Sequence, residues 1–187
     1  MKKKKTAKRT ASKKSGADRK NSIGGNSAVM RQHLVDLLKG SAAHVNFFDA
    51  VDGFPANKRG TFAQGLPHTA WQLLEHMRIA QWDILEFSRN SKHVSPGFPE
   101  GYWPKTPGPP IDTEWEKSVK SFERDLGEMV ELVKNPRTDL YAKIAHGDGQ
   151  TILREALVLA DHNAYHIGQF VDLRRALGAW PQSEATG

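Results

Sequence analysis

His162 and His166 stand four residues apart in the run Asp161-His162-Asn163-Ala164-Tyr165-His166. On a helix, positions i and i+4 share a face at about 6 Å, so the two imidazoles can hold one divalent ion between them. The same spacing serves the zinc motif H-E-x-x-H, where the glutamate after the first histidine is the general base. Here Asn163 occupies that place, which argues against metalloprotease chemistry. Two ligands alone are weak evidence for a metal. A hydrogen-bonded core histidine beside an exposed one is the structural alternative. The reading therefore turns on a third ligand.

The chain has no cysteine, so thiolate ligands and a cysteine nucleophile are excluded, as are disulfides. The other histidines are His33, His44, His68, His76, His93 and His146. His76 lies among Leu73, Leu74 and Met77, inside a segment whose apolar residues recur at helical spacing. Bundle metal sites are built from side chains on facing helices, so His76 opposite His162 and His166 completes a candidate three-histidine site. Gln72, Asp83 and Gln169 lie at helical spacing from these histidines and could orient them or contact substrate. Taken singly, each reads as well as an ordinary polar residue at the edge of the core.

Four amphipathic segments must position the site. The first is expected over 27–51, with Ser27 as N-cap and Met30, Leu34, Leu37, Leu38, Val45 and Phe48 as its stripe. The second starts at Pro67-His68-Thr69 and runs to about Arg89. A connection of some twenty residues with six prolines and the segment Tyr102-Trp103-Pro104 follows. Loops this long are uncommon in compact domains and often functional; a crossover between parallel helices is the alternative. The third segment begins near Asp112, where Thr113 and Glu116 fit a capping box. Its stripe of Trp115, Val119, Phe122, Leu126, Met129 and Val133 is the most regular in the chain. The fourth runs from an N-cap at Thr151 to about Leu177, with Gly178 beyond it. Ile152, Leu159, Ile167, Phe170 and Leu173 mark its buried side, which the histidine pair borders. Four such helices without alternating runs predict an all-α four-helix bundle.

Charge divides the 187 residues unevenly. Residues 1–22 hold ten Lys or Arg and one acid, whereas the rest hold seventeen basic and twenty acidic groups. We therefore expect a disordered basic tail over 1–26, a bundle over 27–182 and a short tail over 183–187. Such a tail could contact nucleic acid through residues 1–22; a merely solvated tail, or an upstream start with Met30 as the alternative first residue, reads as well. No apolar run approaches a membrane span, and a cytoplasmic location is the default expectation.

Three segments carry a resemblance: Thr69-Ala70-Trp71-Gln72-Leu73-Leu74-Glu75-His76-Met77, Ala145-His146-Gly147-Asp148-Gly149-Gln150-Thr151, and Asp161 to Gln169. With the helix pattern they make about residues 28–180 resemble the DinB-like superfamily, also called the YfiT-like metal-dependent hydrolases. The resemblance implies an up-down-down-up bundle, usually dimeric. It also implies one nickel or zinc ion held by His76, His162 and His166. Some relatives transfer a low-molecular-weight thiol such as bacillithiol, or isomerise substrates with mycothiol or glutathione. The basic tail is not part of that pattern.

Three histidines would leave coordination positions open, as in a catalytic site. A metal there lowers the pKa of bound water or binds a thiol as thiolate. Tyr102, Trp103 and Trp180 could line a pocket for an apolar electrophile. The expectation is a thiol transferase or hydrolase acting on a small molecule, with a thiol as cosubstrate. The alternative is a non-catalytic metal-binding stress-response or interaction module whose tail contacts nucleic acid.

Overall fold

The computed structural model describes residues 16–40 and 42–180. Among them are five α-helices and no strand: α1 (Gly16–Lys39), α2 (Phe47–Val51), α3 (Ala70–Arg89), α4 (Asp112–Lys134) and α5 (Ile152–Ala176). Four are long, and they form a helical bundle in which α1 and α3 each pack on both α4 and α5.

The first expected helix is two. Gly40, at φ 65°, ends α1 in the left-handed conformation that glycine adopts freely, and Asn46 then caps the short α2 by accepting from the Asp49 N–H. The break changes the stripe. Leu34, Val35 and Leu38 are buried, whereas Met30 and Leu37 face outward. Phe47, rather than Phe48, enters the core and stacks on Phe122 at 3.7 Å. At its other end α1 begins at Gly16 instead of Ser27, because extending a formed helix adds a hydrogen bond for each residue fixed. The remainder of the expected basic tail and the expected C-terminal tail lie outside the described residues.

The predicted capping box at Thr113 and Glu116 is absent: Ile111 is the N-cap of α4 and caps nothing through its side chain. The box sits on α3 instead. Thr69 accepts from the Gln72 N–H, and the Gln72 side chain accepts from the Thr69 N–H. Pro67 stands outside that helix. The Thr69 hydroxyl also donates to the Pro107 carbonyl, pinning the long connection to the start of α3. Close by, Gly108 lies so near Gly60 that a Cβ on Gly60 would meet its Cα at 2.9 Å. Apart from that cap, and from Val119, which is only half-buried, α4 and α5 follow expectation. On α4, Trp115, Phe122, Leu126, Met129 and Val133 are buried. Thr151 caps α5 on the Arg154 N–H, and Gly178 turns the chain at φ 59°.

Contacts along the helices fix what meets what. Arg31 donates to the Val133, Asn135 and Thr138 carbonyls at the C-terminal end of α4, a favourable place for a cation. Further along α1, Leu37 and Leu38 share a groove with Phe122 and Leu126. Gln81 of α3 donates to the Phe122 carbonyl, and Arg89 pairs with Glu128. Against α5, His76 meets His162 and His166, while Gln81 meets Asn163. The midpoints of α3 and α5 thus face each other across the core. No described helix is long and apolar enough to cross a membrane.

Candidate metal centre

His76 comes from the middle of α3, where its neighbours Leu73, Leu74 and Met77 are buried. His162 and His166 come from α5, one helical turn apart, between the buried Leu159 and Phe170. The three point at one another: His76 Nε2 lies 3.1 Å from His166 Nε2 and 3.1 Å from His162 Nε2. One ligand nitrogen from each falls within 4.8 Å of the other two.

Tautomers follow from the outer ring nitrogens. His76 Nδ1 lies 3.0 Å from the Tyr102 carbonyl, which can only accept, so Nδ1 donates and Nε2 presents a lone pair. His166 Nδ1 donates to Gln169 Oε1 at 2.7 Å, again leaving a lone pair on Nε2. Two lone pairs therefore face each other at 3.1 Å, which is repulsive unless a cation sits between them. Zinc bound tetrahedrally at about 2.0–2.1 Å would space its nitrogens about 3.3 Å apart, close to what is seen. Burial, foremost, together with the neighbouring imidazoles, pulls His76 down to about 4, against the Tyr102 hydrogen bond. Burial and then His166 pull His162 to about 4 as well, against the neighbouring Asn163 side chain. Burial also lowers His166, with the Gln169 contact opposing it. All three are therefore neutral near pH 7, the form that ligates a metal. These residues fit a divalent cation.

A sequence model of the DinB superfamily matches residues 39–170, a span that includes all three histidines. The chain belongs to the DinB superfamily. No curated protein and no solved structure matches it.

The long connection supplies part of this DinB site. Trp103 lies flat on His76, with centroids 3.8 Å apart and planes 2° from parallel, and His68 stacks on Trp103 at 4.0 Å. The indole is thus held between two imidazoles. Tyr102 donates its hydroxyl to Asp83, and His93 meets the other oxygen of the same carboxylate at 2.7 Å. Asp83 therefore acts on His76 only through Tyr102. Burial and then Asp83 raise Tyr102 to about 12, so it remains a donor across ordinary pH.

Of the polar neighbours singled out by spacing, Gln169 touches a site histidine, Asp83 anchors the connection, and Gln72 belongs to the capping box. Trp180, expected to line a pocket, packs against Arg174 and Arg175 instead. The segment around His146 closes a turn on the end of α3. His146 donates to the Phe87 carbonyl, and a Cβ on Gly147 would meet Phe87 at 2.9 Å. Among the described residues, His33, His44 and His146 are not part of the cluster. His68 was missed as a member of the site. Its only signal was its place at the head of the helix that carries His76, because a stack through Trp103 leaves no mark in local spacing. Beside His68 and Gln169 is a cavity of about 70 Å³, walled by Leu66, Pro67, Leu73 and Leu173.

Proposed function

We propose that this chain is a metal-dependent enzyme that transfers a small thiol to, or hydrolyses, a small molecule. His76, His162 and His166 would hold one divalent ion, with zinc or nickel the best candidates. The observation that carries the reading is the convergence of three neutral imidazoles, two buried and one half-buried, with two lone pairs turned on each other. A bound divalent ion would supply Lewis acidity and make water or a thiol nucleophilic near neutral pH. The protein's own part is to keep the imidazoles deprotonated by burial and to orient two of them from outside, through the Tyr102 carbonyl and Gln169. Trp103 shields one face of His76 from water. The cavity beside His68 offers room for a short apolar group.

The helix contacts support an up-down-down-up order for the long helices, because α3 and α4 meet with residue numbers rising together whereas α1 against α4 and α3 against α5 meet with numbers opposed. A cytoplasmic homodimer belongs to the same proposal and rests on the family likeness. Nucleic-acid contact by residues 1–22 rests on charge alone.

The test is metal analysis of wild type, His162→Ala and His166→Ala after loading with nickel, zinc or manganese, followed by turnover assays against a panel of thiols and electrophiles. We expect about one ion per wild-type chain, near none in the variants, and thiol-dependent turnover. Equal and negligible metal in all three proteins sinks the proposal. Metal without turnover leaves the non-catalytic module.

A further inference from the structure

Two of the three site histidines have an acceptor for Nδ1, but His162 Nδ1 is buried with no hydrogen bond of good geometry, although the Asn163 side chain is close enough to act on the ring. Next to it in sequence, Asn163 Oδ1 is also buried without one. A buried ring nitrogen and a buried amide oxygen left unpaired on neighbouring residues are each costly. We infer that they belong together, and that a chain of amides running back to the Phe122 carbonyl sets the tautomer of His162.

The direction of that chain follows from its far end. The Phe122 carbonyl can only accept, and the Gln81 side chain lies 2.6 Å from it, so the Gln81 amide must turn its NH2 there. Gln81 Oε1 then faces Asn163, 3.0 Å from Asn163 Nδ2. Flipping Asn163 would set two carbonyl oxygens against each other at that distance. Asn163 must therefore keep its NH2 on Gln81 and turn Oδ1 the other way. An oxygen so placed can only accept, directly or through one buried water. It calls for His162 with hydrogen on Nδ1 and a lone pair on Nε2, the atom that points at His76. Gln81 is 0 % and Asn163 4 % exposed, so bulk water offers neither an alternative partner. Asn163 and Gln81 are thus positioning residues for the metal, acting through His162. They tie α4, α3 and α5 together at the level of the site. The inference rests on the proposed metal reading, but the tautomer can be read without metal.

The experiment is nitrogen-15 NMR of the imidazole rings in the full, metal-free chain near pH 7, beside zinc affinity by competition with a chelator. Wild type should show His162 protonated on Nδ1. Asn163→Leu should shift at least half of His162 to the Nε2–H form and weaken zinc by about 10–100-fold, the usual cost of losing an outer partner of a metal ligand. Gln81→Leu should do the same more weakly, because it frees Asn163 to flip. Gln81→Leu leaves Asn163 in place and carries the test should Asn163→Leu not fold; a His162 tautomer and zinc affinity unchanged there overturn the inference. Wild-type His162 protonated on Nε2 overturns the inference. So does an unchanged tautomer with unchanged zinc affinity in a folded Asn163→Leu protein. Should no variant bind zinc while the tautomers behave as expected, the orientation of His162 stands and the metal reading falls.

Discussion

Helix α5 carries two buried polar clusters eight residues apart, around His166 and around Arg174. Arg174 is 2 % exposed, yet two of its three side-chain nitrogens donate to carbonyls. Nε donates to the Ala179 carbonyl at 2.8 Å and Nη1 to the Ala50 carbonyl at 2.7 Å. Its guanidinium stands over the Phe54 and Trp180 rings. Burial pulls its pKa below the usual arginine range, with Asp52 opposing. The histidine cluster is less deeply set, with His162 only half-buried, and it does not close, because its inner nitrogens meet only one another. The contrast is between polarity that the protein satisfies for itself, which staples α2 and the C-terminal turn to α5, and polarity that calls for a ligand from outside.

Exchanging one side chain in each cluster should separate the two roles. His166→Gln keeps a polar side chain of similar size but removes a strong ligand. We expect divalent-metal affinity to fall by at least about a thousandfold, while the melting temperature of the metal-free protein moves by only a few degrees. Arg174→Ala should do the reverse. It leaves the Ala50 and Ala179 carbonyls without their donor and opens a cavity, at a cost of about 3 kcal/mol. For a domain of this size that is about 6–12 °C in melting temperature, with metal affinity unchanged. A large loss of metal affinity in a folded Arg174→Ala protein would break the distinction.

Acid should also act on one cluster and spare the other. Burial holds His76 and His162 near 4 in the folded chain, whereas an unfolded histidine titrates near about 6.5. Between those values the unfolded chain binds more protons, so the stability of the metal-free protein falls as pH drops from about 7 to about 4 and levels off below. Arginine stays charged throughout and contributes nothing to that slope. His76→Phe, which can still stack on Trp103, should therefore flatten the dependence of melting temperature on pH. An equally steep profile would place its origin elsewhere.

The three site histidines were legible because i,i+4 spacing on one helix and an apolar neighbourhood on another are local signals. The buried faces of α4 and α5 were legible for the same reason. The break at Gly40 was not, since the apolar stripe continues through it and only the backbone angle marks the turn. Thr113 and Thr69 show why caps mislead: both precede a Glu or Gln by three residues, and packing of the long connection on Thr69 decided which one caps a helix. The roles of Trp103, His68 and the amide chain from Phe122 depend on which side chains face each other across three helices, and spacing within a segment carries no record of that.

The smallest effect expected is at the edge of the open cluster, where the connection grips α3. The Tyr102 hydroxyl donates to Asp83 at 2.6 Å, while the carbonyl of the same residue accepts from His76. Removing the hydroxyl in Tyr102→Phe leaves that carbonyl in place but loosens the loop that presents it. One hydrogen bond to a carboxylate contributes about 1.5 kcal/mol or somewhat more, and only part of that reaches His76. Metal affinity should therefore fall by about three- to tenfold, measured by chelator competition. Because burial and Asp83 push the tyrosine up to about 12, the ratio of wild-type to variant affinity should be constant from pH 6 to 9. An effect as large as that of His166→Gln would mean that Tyr102 itself faces the ion, and the boundary between the ligand-seeking cluster and its support would have to be redrawn to include the connection.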